Sequence, residues 1–152
     1  MDRLPGEAMI KFRSSNVHAD RPHLTHPGDV FVGVTGRLEI DADGRSVYVE
    51  EEFPVVELAA DLWRWIAVGL EAGRDFEFDS MSTPEPGWVW IRRTDSGWRV
   101  GSLHQERPDL VVRSGAEVRA AVESFIDSVK AAAIENLETD VTQIIEQRSL
   151  GN

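Results

Sequence analysis

Three of the four histidines of this 152-residue chain fall in one short stretch, Asn16-Val17-His18-Ala19-Asp20-Arg21-Pro22-His23-Leu24-Thr25-His26, which also carries a carboxylate at Asp20. Imidazole with carboxylate is the ligand set of zinc and of nonhaem iron. Such a centre needs its donors converged on one point. His23 and His26, in a loop flanked by prolines, lack the regular pitch of a helix or strand that would converge them. The stretch therefore reads as a solvated loop. A metal or small-ligand site on His18, Asp20, His23 and His26 is the alternative, which His104 joins only if the sheet brings its end to that loop.

Carboxylates are the other reactive groups in quantity: Glu50-Glu51-Glu52, Glu77 with Asp79, and Asp61 near Glu57. General acid–base chemistry needs a carboxyl whose surroundings shift its pKa, inside a pocket. Neither is visible in sequence. Glu77 and Asp79 alternate with Phe76 and Phe78, the pattern of a strand with one wet face. The triple Glu suits a charged strand that resists edge-to-edge pairing. No phosphate-binding glycine loop, nucleophile elbow or HExxH occurs in the chain. Cysteine is absent, which excludes disulfides, thiol catalysis and thiolate zinc sites. No catalytic residue and no cofactor are expected.

The formal charge is −11, and Arg outnumbers Lys 14 to 2. An acidic surface repels phosphate backbones and attracts basic partners, so nucleic acid is excluded as a ligand and a basic protein is favoured. The N-terminal MDRLPGEAMIKF has no apolar signal core and no run reaches membrane-spanning length, so a cytoplasmic protein with no membrane association is expected.

These side chains hang on elements that the hydrophobic period predicts. Residues 8–14 and 30–40 read as strands, with Gly33 and Gly36 marking a bulge or a close approach. Asp43-Gly44 is a hairpin turn signal, and residues 45–53 return. From Val55 the period becomes helical through Leu58, Leu62, Trp63, Ile66 and Leu70 until Gly73. Residues 76–80, 88–94 and 98–104 continue the sheet, and 110–113 form a short extended piece. Ser114 with Glu117 opens a long C-terminal helix whose stripe is Val118, Val122, Phe125, Val129, Ala133 and Leu137. The expected fold is α+β: an antiparallel meander of about six strands with two main helices packed on one face. One domain, 1–152, is expected, with its core in about 8–135 and residues 138–152 as a protruding or separate segment.

Run unbroken to Arg148, that last helix would span ~50 Å, against ~38 Å for a compact domain of this length. A break between Asn136 and Thr142 is predicted. Without it, Val141, Ile144 and Ile145 are exposed and call for a second copy of the chain, giving a homodimer as a structural module.

Five tryptophans, Trp63, Trp65, Trp88, Trp90 and Trp98, lie within 36 residues. Trp88 and Trp90 share a strand face. A three-residue turn at Asp95-Ser96-Gly97 would pair Thr94 with Trp98 and bring Trp98 to that face too. In the helix, Trp63 fits the buried stripe, which leaves Trp65 on the surface. Trp65, Trp88 and Trp90 are thus the expected partner anchors, with Glu50, Glu51, Glu52, Glu77 and Asp79 steering approach.

The order sheet, helix, meander, long helix, with Trp88-Val89-Trp90 and Gly97-Trp98-Arg99-Val100-Gly101-Ser102 on an acidic chain, resembles small bacterial domains grouped with toxin-immunity proteins. The resemblance covers about residues 30 to 135. It implies a non-enzymatic, stoichiometric inhibitor that caps a basic toxin.

Overall fold

The computed structural model describes residues 9–19, 33–80, 84–105 and 111–150. Alternation of buried and exposed side chains builds the first sheet from β1 (Ile10–Ala19), β2 (Val34–Ala42) and β3 (Arg45–Phe53), antiparallel with β2 in the middle. The β2–β3 hairpin turns on Asp43 and Gly44, at φ 53° and 82°. Two positive φ angles match the right-handed strand twist, which is why Asp-Gly signals this turn. Both ladders slip near Gly36, opposite Asn16 on β1 and Glu52 on β3. A Cβ at Gly36 would come within 3.0 Å of the Ser15 carbonyl, so the predicted close approach is real.

After Pro54 the chain forms α1 (Val55–Arg64), which widens into a π-helical turn at Trp65–Gly69 where the Leu70 N–H donates to the Trp65 carbonyl at 2.9 Å. A second antiparallel sheet follows, β4 (Phe76–Glu77), β5 (Trp90–Arg93) and β6 (Trp98–Gly101), in that order. Arg113 adds a single bridge to Trp98. Helix α2 (Gly115–Leu137) starts at Ser114, whose Oγ accepts from the Glu117 N–H at 3.1 Å. It ends at Glu138 in the left-handed conformation, φ 52°, and α3 (Thr142–Leu150) follows.

The single meander of about six strands is thus replaced by two sheets of three, and the helices do not form one layer. Pro54 and α1 carry the chain away from β3, and among the described residues β4 pairs with β5 alone. Helix α2 packs along β1, while α1 touches β2, α2 and α3 at once. Residues from both sheets and all three helices share one hydrophobic core. The period of a strand reports which faces are buried, not which strand is its neighbour.

The break in the last helix falls inside the predicted interval. Val141 and Ile145 are fully buried, and Ile144 packs against the core. The exposed trio that would call for a second copy is therefore absent: α3 folds back on α1, and Lys130 on α2 pairs with Glu146 on α3 at 3.0 Å. The Asp140 carboxyl accepts from the Thr142 N–H at 2.9 Å, and this bond holds its pKa below the ordinary aspartate range.

Candidate functional site

The tryptophans are not arranged as expected. In the β5–β6 ladder Arg93, not Thr94, stands opposite Trp98, and the turn holds Thr94 to Gly97 with the Thr94 N–H donating to the Gly97 carbonyl at 2.7 Å. A slip of one residue moves a side chain to the other face. Trp98 consequently shares the core face with Ile91 and Val100, and meets Trp65 edge-on at 5.2 Å. Trp90 lies on the opposite face, under the Arg92 guanidinium at 4.1 Å, with its ring over Gly101 where a Cβ would collide. It is buried but stands outside the hydrophobic core. Trp88 is half-buried between Phe53 and His104, and among the described residues no acceptor meets its Nε1. His104 itself meets Glu85 at 3.0 Å.

Trp65 is buried rather than exposed, and Trp63 is the half-buried one, with the Lys130 ammonium 5.5 Å from its ring. A single-stripe reading fails because α1 packs on α2 and α3, whereas the π turn that begins at Trp65 meets the small sheet. Trp65 faces that sheet, against Phe76 and Trp98. Its Nε1–H donates to the Arg74 carbonyl at 2.8 Å, and its indole lies so close to Gly69 that a Cβ there would overlap the ring.

That geometry makes one wall of an open cleft of about 600 Å³ between the π turn and β4. Glu77 and Asp79 line it, joined by Asp61 and Asp75, with Arg64 and Arg74 at the same opening. The alternation read from sequence explains the first pair: Phe76 and Phe78 are buried, so Glu77 and Asp79 point out. The Asp75 carboxylate accepts from the Arg93 N–H at 2.8 Å, which fixes the turn into β4. Glu77 and Asp79 form no ion pair among the described residues. Asp75, Arg64 and Arg74 escaped sequence reasoning because they come together only when the end of α1 meets β4.

The acids of β3 behave differently, since each is engaged within the large sheet. Glu50 accepts from the Tyr48 hydroxyl at 3.1 Å, Glu51 pairs with Arg37 at 3.5 Å, and Glu52 accepts from Thr35 at 2.9 Å and meets His18 Nε2 at 3.0 Å. Burial, followed by the Glu50 carboxylate, raises the Tyr48 phenol above its ordinary range. Burial also raises the Asp41 carboxyl, helped by neighbouring Glu39 and opposed by Arg13.

His18 is tied on both ring nitrogens, Nδ1 meeting the Asn16 carbonyl at 2.7 Å and Nε2 meeting Glu52. Asp20, His23 and His26 lie outside the described residues, so the metal alternative rests on positions of which only His18 is in view. Among the described residues no group of three or more His, Asp or Glu side chains is arranged to hold a metal ion, and no helix is long and apolar enough to cross a membrane.

A family model for a domain of unknown function, DUF7878, matches residues 10–135. The chain belongs to this family. The DUF7878 span runs from the first residue of β1 almost to the end of α2, and so takes in both sheets and the acidic cleft. Its description assigns no activity and lends no support to the likeness to toxin-immunity proteins. No curated protein matches the chain, and no solved structure matches it.

Proposed function

We propose that this DUF7878 protein is a non-enzymatic binding protein for a basic protein partner, with the cleft between the π turn and β4 as the receptacle for the partner's guanidinium or ammonium groups. The observation that carries this reading is the state of Glu77 and Asp79. Both are exposed, both line the cleft, and neither has an ion pair among the described residues. Carboxylates gathered in one cleft focus their field on a cation more than the same groups scattered over the surface. The acids of β3 are weaker candidates because their oxygens already accept hydrogen bonds or meet a cation. Trp65 serves as a buried cleft wall in this reading, holding the π turn against β4 so that the acids keep their spacing. Capping a basic toxin in the manner of an immunity protein is the specific form of this function that the charge of −11 and the sequence resemblance favour.

A titration with a capped oligoarginine peptide tests the site. Replacing Glu77→Gln with Asp79→Asn is expected to weaken binding about tenfold at low salt, and to flatten its dependence on ionic strength. The triple change Glu50→Gln, Glu51→Gln and Glu52→Gln is expected to have the smaller effect. Equal losses in the two variants, or none in the first, overturn the assignment.

A further inference from the structure

The register of the large sheet leaves one row of backbone groups facing outward. Asp43 donates its N–H to the Met9 carbonyl at 3.0 Å, so Met9 and Asp43 are a hydrogen-bonded pair of the antiparallel ladder. Such pairs alternate along a strand. Lys11, Arg13 and Ser15 therefore bond to β2, whereas Ile10, Phe12 and Ser14 turn their N–H and C=O groups away from it. Ile10 verifies the direction: its N–H donates to the Glu117 carboxylate at 3.2 Å, at the start of α2. Beyond that point Phe12 and Ser14 line a groove of about 530 Å³ whose other bank is α2. There the helix presents Ala120, Ser124 and Ser128, all small and all exposed, and Ser128 approaches Ser14 at 3.4 Å.

The geometry points to this groove as the docking slot for an extended, acid-bearing segment of another protein, added beside β1 as a fourth strand of the large sheet. Backbone bonding to the outward groups of Phe12 and Ser14 supplies the affinity, as in other strand additions. Residues of the added strand opposite Phe12 and Ser14 face the small side chains of α2, where β-branched apolar groups fit. Residues opposite Lys11 and Arg13 lie on the other face. On the β2 side these two bases stand across from Asp41 and Glu39; Arg13 Nε pairs with Asp41 at 3.2 Å, whereas Lys11 has no ion pair among the described residues. A new strand on the side of β1 that no described strand occupies meets Lys11, so acids are favoured opposite it and bases repelled. The same rule counts against a second copy: two β1 strands paired antiparallel over this stretch set Lys11 and Arg13 against themselves or each other. None of these residues belongs to the acidic cleft, so the inference stands apart from the basic partner proposed above.

The probe is a capped peptide alternating Val with Asp, compared with one alternating Val with Lys, at ~0.15 M salt where a Debye length of ~8 Å leaves mainly neighbouring charges in play. The acidic peptide is expected to bind at least about tenfold more tightly and to slow hydrogen exchange of the Phe12 and Ser14 amides. Ser124→Phe, a change at an exposed helix position that fills the groove, is expected to abolish binding while leaving the thermal midpoint in place. Lys11→Glu is expected to reverse the preference between the peptides. Failure of the acidic peptide to bind, binding that survives Ser124→Phe, or a concentration-dependent dimer protecting the same amides each overturns the proposal.

Discussion

Arg113 is 2% exposed and carries a full charge, an arrangement a folded chain tolerates only when the guanidinium is well paired. Its two terminal nitrogens meet both oxygens of Asp43 at 3.0 and 3.3 Å, and one of them also meets Glu117 at 3.3 Å. Its backbone exchanges two hydrogen bonds with Trp98, at 2.6 and 2.8 Å. One residue thereby joins the hairpin turn of the first sheet, the last strand of the second and the first turn of α2. Glu117, expected to close a capping box on Ser114, sends its carboxylate instead to Arg113 and to the Ile10 N–H. Replacing Arg113→Met strands both carboxylates beside an apolar side chain and is expected to cost about 3 kcal/mol, the usual scale for breaking a buried ion pair. Urea unfolding measures it. Arg113→Lys should recover little, because one ammonium cannot make the two-pronged contact with Asp43. A loss below about 1 kcal/mol for both variants would show that the clamp contributes little.

Among the elements, the break between α2 and α3 shows what the chain's own chemistry makes legible. Weak helix formers from Asn136 to Thr142 predicted an interruption, and it occurs where Glu138 adopts φ 52°. A residue with a Cβ is strained there, and glycine is not. Glu138→Gly is therefore expected to raise stability by about 0.5–1 kcal/mol, read as a higher midpoint of thermal unfolding with unchanged helix content; a decrease would contradict the strain argument. The Asp43-Gly44 hairpin, the Ser114 cap and the stripe of α2 were legible for the same reason, since each is decided by residues a few positions apart. The sheets were not. Whether β3 or β5 lies beside β4 depends on how α1 crosses the core, and the face of Trp98 depends on a turn longer by one residue. Period 2 carries no information on either. For the site, the alternation of Phe76, Glu77, Phe78 and Asp79 gave the two exposed acids correctly, while the cleft they line needed the position of the π turn.

At the scale of the whole molecule, the family match and the physical core do not coincide. The DUF7878 match stops at residue 135, yet Val141 and Ile145 of the segment beyond it are fully buried in the common core. Burying an aliphatic side chain stabilises by about 1.5–3 kcal/mol, so the segment from Val141 through α3 contributes about 3–6 kcal/mol through these two residues alone. That is a large share of the ~5–15 kcal/mol that holds a domain folded. The Lys130–Glu146 pair adds little, being a partly exposed ion pair. A chain ending at Glu138 is thus expected to unfold at markedly lower urea concentration than the full chain, and to expose the side of α1 on which α3 lay. Val141→Ala with Ile145→Ala in the full chain should reproduce most of that loss, since it removes the buried methyl groups and leaves the helix in place. If the shortened chain instead matches the full one in stability, α3 is an appendage and the folding unit ends with the family boundary. If the double variant is severely destabilised, the unit that folds is larger than the matched span, and α3 belongs in any truncation meant to preserve the cleft.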